Sequence, residues 1–209
     1  MSSLRVMIIE DEPIIAEDIA DMLRHMDFEP CMMCYSKESA INALKNSPPD
    51  FLLIDINLGN GGEGIEIADY VNHSFRLPFI FLTSYSDKQT VQQAKAVHPF
   101  GYVVKPFTEQ SLFAAIEIAL HIHAIQYKQL YPDLNLEIIN RKLCSPLSQR
   151  EFEVLQMIYD GNTNNQIAAT LFLSGNTIKK HINNAYLKMD VKTRTQSLSL
   201  LRKLMSSSD

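Results

Sequence analysis

Four short apolar runs of this 209-residue chain each end on a side chain able to do chemistry. LRVMII at 4–9 runs into Glu10-Asp11, DFLLI at 50–54 into Asp55, PFIFL at 78–82 into Thr83, and GYVV at 101–104 into Lys105. An ionised carboxylate at the end of a buried strand is costly unless something compensates it. Three clustered carboxylates also repel one another, so a pocket holding Glu10, Asp11 and Asp55 calls for a divalent cation. Oxygen ligands with few all-protein contacts suit Mg²⁺. A carboxylate beside Mg²⁺, an ammonium and a hydroxyl has what attack on a phosphoryl group needs. Asp55 is the nucleophile, the metal neutralises the incoming oxygens, and Lys105 and Thr83 hold them.

These residues are far apart in the chain, so a parallel sheet must bring them to one edge. From residue 4 to about 124 the pattern alternates accordingly. The four runs, with the stretch near 29–35, read as five strands. Between and after them lie five segments of helical spacing, beginning at Pro13, Ser36, Gly64, Ser86 and Thr108. Ser36, Ser86 and Thr108 read as N-caps and Pro13 as a first helical residue. Alternation of this kind predicts an α/β fold, a doubly wound five-stranded parallel sheet covered on both faces. Taken singly, Thr83 and Tyr102 would suit packed strands, and Glu10-Asp11 an acidic helix entry; it is their joint placement at strand ends that points to phosphoryl chemistry.

Glu10-Asp11, Asp55, Thr83-Ser84, Tyr102 and Lys105-Pro106 resemble the receiver domain of two-component response regulators, over roughly the first 120 residues. The resemblance implies a flavodoxin-like fold and Asp55 as phosphoacceptor from a sensor histidine kinase. It implies Mg²⁺ held by Asp11, Asp55 and the main-chain carbonyl of Asn57, with Glu10 acting through water. Lys105 would bind phosphoryl oxygens, Thr83 and Tyr102 would form the switch pair, and Lys105-Pro106 would be a cis peptide. Many receivers carry a proline soon after the phosphoacceptor; here Leu58-Gly59-Asn60-Gly61-Gly62 is glycine-rich, and a more mobile loop is expected. Asn57 and Tyr85, each two residues after a site residue, would flank the path of the hydrolytic water and tune phosphoryl lifetime.

Residues 125–144 carry Pro132 and no sustained period and read as a linker. After it the period is helical only. Ser148-Gln149-Arg150-Glu151 fits a capping box, Gly161 a stop, and Thr163, Ser174 and Thr193 open three further helices, making four short helices in 145–209. Leu147 through Glu151, Asn165-Gln166-Ile167-Ala168, Leu171 through Ser174, Thr177 through Ile182 and Tyr186 through Met189 resemble the LuxR/NarL-type helix-turn-helix domain. Ile167, Leu171, Ile178, Ile182 and Leu187 are expected on its apolar face, with Lys179, Lys180 and Asn183 on the opposite side of the third helix. That helix would enter the major groove, lysine donating to guanine and Asn183 pairing with adenine. Thr163, Asn165, Thr177, Lys192 and Arg194 are the candidates for phosphate contacts. The last helix has an apolar stripe suited to pairing with a second copy, and a homodimer on phosphorylation would double the phosphate contacts.

Charge divides the same way. Residues 1–124 carry 8 Lys+Arg against 17 Asp+Glu, and residues 145–209 carry 8 against 5, which implies separate partners for the two halves. No leader-like N-terminus and no apolar run near the ~18 residues of a membrane span is present, and a cytoplasmic location is expected. The CxxC of Cys31 and Cys34 lies in a strand, where residues three apart face opposite ways, so both are read as packing thiols. The chain therefore reads as a DNA-binding regulator rather than a dedicated enzyme. One competing reading keeps the receiver but gives the helical domain a protein contact, because Asn164-Asn165 and Asn183-Asn184 stand where relatives often carry lysines. Another, a haloacid-dehalogenase-type phosphatase, expects an Asp two residues after the nucleophile, and position 57 is Asn.

Overall fold

The computed structural model describes residues 3–59, 61–84, 93–128, 130, 131 and 133–206. The chain divides into two compact units, Arg5–Ala119 and a second built on Leu120–Asp209. In the first, β1 (Arg5–Ile9), β2 (Glu29–Cys34), β3 (Phe51–Asp55), β4 (Phe79–Ser84) and β5 (Tyr102–Lys105) form one parallel sheet in the order β2-β1-β3-β4-β5. The central strands are apolar because both their faces are covered. All five residues of β3 and Phe79–Leu82 of β4 are buried, with the Phe79 and Phe81 rings meeting edge to face at 5.4 Å.

Helices α1 (Pro13–His25), α2 (Lys37–Asn46) and α3 (Glu63–Ser74) each bury one stripe. On α1 it is Ala16, Ile19, Ala20 and Leu23, the spacing of one helical face. Pro13 opens α1, and Ser36 caps α2 in a reciprocal box with Ser39, as expected. Thr108 caps α4 (Glu109–Lys128) through Ser111. The expected helix from Ser86, and Tyr85 with it, begin outside the described residues; 93–96 are helical.

β2 contains an irregularity that the period of two did not anticipate. Val6 pairs with Pro30 but Met7 pairs with Met32, so Cys31 is the extra residue of a bulge. A bulge reverses the facing of every later residue in its strand. Cys31 and Cys34 therefore pack against the same core cluster instead of diverging. Both are free thiols, and burial pushes Cys31 up to about 11 and Cys34 upward, so neither is a ready thiolate.

The second unit is helical. It takes in the end of α4, then α5 (Leu136–Lys142), α6 (Gln149–Tyr159), α7 (Asn164–Leu171), α8 (Gly175–Met189) and α9 (Arg194–Ser206). α5 lies within the stretch expected to be linker. Asn135 caps it by accepting from the Ile138 N–H, and Ile139 is wholly buried in the core with Leu147, Leu155, Ile167, Ile182 and Leu201. Two turns are too short to display a period, which is why the segment read as irregular. Ser148 with Glu151 and Thr163 with Gln166 form capping boxes, and Ser174 accepts from the Thr177 N–H. Among the described residues no helix is long and apolar enough to cross a membrane.

Candidate phosphoacceptor site and nucleic-acid interface

The parallel register carries the ends of β1, β3, β4 and β5 to one edge: Ile9 lies beside Ile54, Asp55 beside Leu82, and Ser84 beside Lys105. Glu10, the first residue past β1, is 0 % exposed, and Asp55 and Thr83 are both 6 % exposed. Carboxylate oxygens of Glu10, Asp11 and Asp55 lie within 4.8 Å of one another. Lys105 Nζ closes the group, donating to Glu10 Oε2 at 2.5 Å and to Asp55 Oδ2 at 2.8 Å. Burial of this kind penalises each charge, and pairing offsets the penalty only where the geometry is close.

Burial raises Glu10 above the ordinary carboxylate value, reinforced by the Asp55 charge, and the Lys105 hydrogen bond only partly opposes it. Burial would lower Lys105, but its bonds to Asp55 and Glu10 outweigh that and raise it. Asp11 is exposed and accepts from the Gly59 N–H at 3.2 Å, while the Asn57 N–H donates to Asp55 Oδ1 at 3.1 Å. Glu10 Oε1 is buried with no hydrogen-bond partner. A buried carboxylate oxygen lacking a donor, two further carboxylates at its side and hard oxygen donors throughout fit a hydrated divalent cation.

Thr83 donates to the Ser84 carbonyl at 3.2 Å, so its hydroxyl is held within its own strand end. Tyr102 is half-buried, its ring tilted on Phe81 at 5.9 Å and its hydroxyl buried without a partner. Lys105-Pro106 is the cis peptide expected. One site residue escaped the sequence reading. A Cβ on Gly64 would lie 2.0 Å from the Asp55 main-chain oxygen, so glycine alone lets α3 seat against the end of β3. Gly64 looked like the helix start, but α3 begins at Glu63 behind Gly62, whose φ of 87° is left-handed.

In the helical unit α8 buries Ile178, Ile182, Ala185, Tyr186 and Met189. Leu187, expected on this face, is instead 79 % exposed, because a position five past Ile182 lies across the helix from it. Lys180, Asn183, Asn165 and Lys192 are exposed, and Lys179 is half-buried at the edge of the face. The half-buried Thr177 pairs its hydroxyl with that of Ser174 at 2.8 Å. Two of the phosphate candidates are placed otherwise. Arg194 is 7 % exposed and donates to the carbonyls of Ile158 at 3.1 Å and Asn162 at 2.9 Å. Thr163 is buried and caps α7. Both side chains are engaged inside the module; a cation next to a helix start gives the same sequence signal in either role.

A part-buried ion pair was also not visible from spacing. Lys188 Nζ reaches Glu151 Oε2 at 2.7 Å, tying α8 to the capping box of α6. Burial would raise Glu151, but the bonds from Lys188 and from Ser148 prevail and lower it.

The response regulator receiver domain family matches residues 6–117, and the luxR family of bacterial regulatory proteins matches residues 145–201. The transcriptional regulatory protein DegU of Brevibacillus brevis is 26% identical over 94% of this chain and 92% of its own. The signal receiver domain of a modulated diguanylate cyclase from Desulfovibrio desulfuricans G20 is 32% identical, with a TM-score of 0.56 over 59% of this chain and 98% of that one. Full-length FixJ from B. japonicum is alike in fold, with a TM-score of 0.55 over 100% of both chains at 19% identity. With a receiver fold whose acidic strand ends converge and a luxR-family helical module behind it, the chain belongs to the response regulators and is a DNA-binding regulator of the two-component type.

Proposed function

We propose that Asp55 is the phosphoacceptor and that a sensor histidine kinase is its donor. The observation that carries this is the bridging of Glu10 and Asp55 by Lys105 Nζ at 2.5 and 2.8 Å, beside three converging carboxylates. An Asp55 carboxylate oxygen attacks the phosphorus of a phosphohistidine. The new O–P bond forms as the P–N bond breaks, and the histidine nitrogen leaves with the electron pair and takes up a proton. Lys105 already sits at Asp55 Oδ2 and turns to a phosphoryl oxygen. Mg²⁺, held by Asp11, Asp55 and the Asn57 main-chain carbonyl with Glu10 reaching it through water, would supply positive charge against the phosphoryl oxygens. The Thr83 hydroxyl then leaves the Ser84 carbonyl for the phosphoryl group, and the Tyr102 ring moves inward behind it. Hydrolysis by the chain's own site, with Asn57 bordering the water's path, ends the signal.

The phosphorylated population pairs as a homodimer and places α8 in the major groove, in the cytoplasm where both donor and DNA are met. Lys179, Lys180 and Asn183 face base edges, and Asn165, Thr177 and Lys192 face phosphates. Asp55→Asn should abolish labelling by a small phosphoryl donor with Mg²⁺; retained stoichiometric labelling would remove the mechanism. Selection from random duplex DNA, with and without beryllofluoride and Mg²⁺, tests the output. A two-fold symmetric site enriched only with the mimic supports control through Asp55, and no enrichment in either state from folded protein overturns the output.

A further inference from the structure

The side of α8 turned away from its core carries Asn176, Lys180, Asn183 and Leu187. Their spacings of four, three and four residues keep them on one stripe. The stripe holds one cation, two amides and, at its end, a leucine that is 79 % exposed. A leucine left in water forgoes the burial that its side chain favours, and this one sits on a helix with a well-filled apolar face of its own. The chemistry of the stripe matches one kind of surface. An asparagine amide pairs with the N6 and N7 edge of adenine, and the only apolar group on the major-groove edges of the bases is the thymine methyl.

We infer that Asn183 and Leu187 read adenine and thymine in the operator half-site, Asn183 through its amide and Leu187 by contact with a thymine methyl group. This rests on α8 being the helix that enters the major groove. Asn183 and Leu187 are one turn apart, about 6 Å along the axis, so the two bases lie about two base-pair steps from one another. Lys180 is the one cation on this stripe, with Lys179 at the edge of the helix face, so the stripe's adenine and thymine contacts fall to the amide and the leucine.

The test uses the full chain with beryllofluoride and Mg²⁺ and the duplex it selects. Each thymine of the half-site is replaced in turn by deoxyuridine, which removes the methyl and nothing else. At one position the wild type should lose about fourfold in affinity, as expected for one buried methyl. Leu187→Ala should start about that much weaker and show no further loss at that position. Asn183→Ala should lose about tenfold on the selected site and little on one where its adenine is replaced by guanine. Circular dichroism checks that both variants keep their helices, as expected for exposed positions. Equal sensitivity to deoxyuridine in wild type and Leu187→Ala, or none in either, overturns the leucine assignment while leaving DNA binding intact. Enrichment of no site removes the groove-entry reading and this inference with it.

Discussion

Lys105 is the one residue on which the acidic edge depends among those described, because it neutralises two buried carboxylates at once. Lys105→Met should therefore block phosphoryl uptake and also destabilise the receiver unit in a pH-dependent way. Glu10 is already raised, so its ionisation costs stability as pH rises from 4.5, the ordinary value, through the folded one. Without the lysine that value rises further, and denaturant midpoints at pH 5 and pH 8 should differ more in the variant than in the wild type. An unchanged difference would show that Glu10 is relieved by some other group. Glu151 behaves oppositely. Its lowered value means that its contribution is present above 4.5 and lost as pH falls through the folded value. Glu151→Gln should cost roughly 1–3 kcal/mol at pH 7, from weakened charge-assisted bonds, and flatten acid unfolding of the helical unit. Guanidinium melts at pH 3.5 and pH 7 measure both.

Among the elements, two helix ends depend on glycine for different reasons. Gly64→Ala puts a methyl into the Asp55 carbonyl, so either α3 or the end of β3 must move. A loss of roughly 1–3 kcal/mol or somewhat more is expected, with weaker Mg²⁺-dependent labelling of Asp55 as its functional sign. Gly161 combines a left-handed φ of 90° with a Cβ position 2.7 Å from the Leu120 carbonyl, so it ends α6 and admits the close approach of α4 in the same unit. Arg194 and Lys192 make a paired contrast at the entry of α9. Arg194→Ala should lower the melting temperature of the helical unit by releasing the Ile158 and Asn162 carbonyls. Lys192→Ala should leave melting unchanged and reduce the slope of log affinity against log salt by about one. If Lys192→Ala leaves the salt slope unaltered, its phosphate assignment fails.

For the whole molecule, the charge asymmetry along the chain follows its division into an acidic receiver unit and a basic helical one. An ion that binds only the folded receiver must stabilise it by linkage, so millimolar Mg²⁺ should raise its melting temperature and chelation should reverse the shift. Asp11→Asn should abolish the shift without lowering the metal-free melting temperature, since Asp11 is exposed. A shift that survives in this variant would place the ion elsewhere.

Five strands, their parallel arrangement, the convergent edge and seven helix starts came from local rules, because apolar runs, period and capping side chains act over a few residues. The family of each half was equally legible, since its motifs are residue types at fixed spacing. The tertiary structure decided matters of contact across long separations. The bulge at Cys31 depends on register with β1, the need for glycine at 64 on a backbone nine residues earlier, and the burial of Ile139 on a core assembled from four other helices. Arg194 and Leu187 show the limit most clearly. A cation near a helix start and a leucine on an amphipathic helix have the same sequence signature facing inward or outward, and only packing turned the arginine into the module and the leucine out of it.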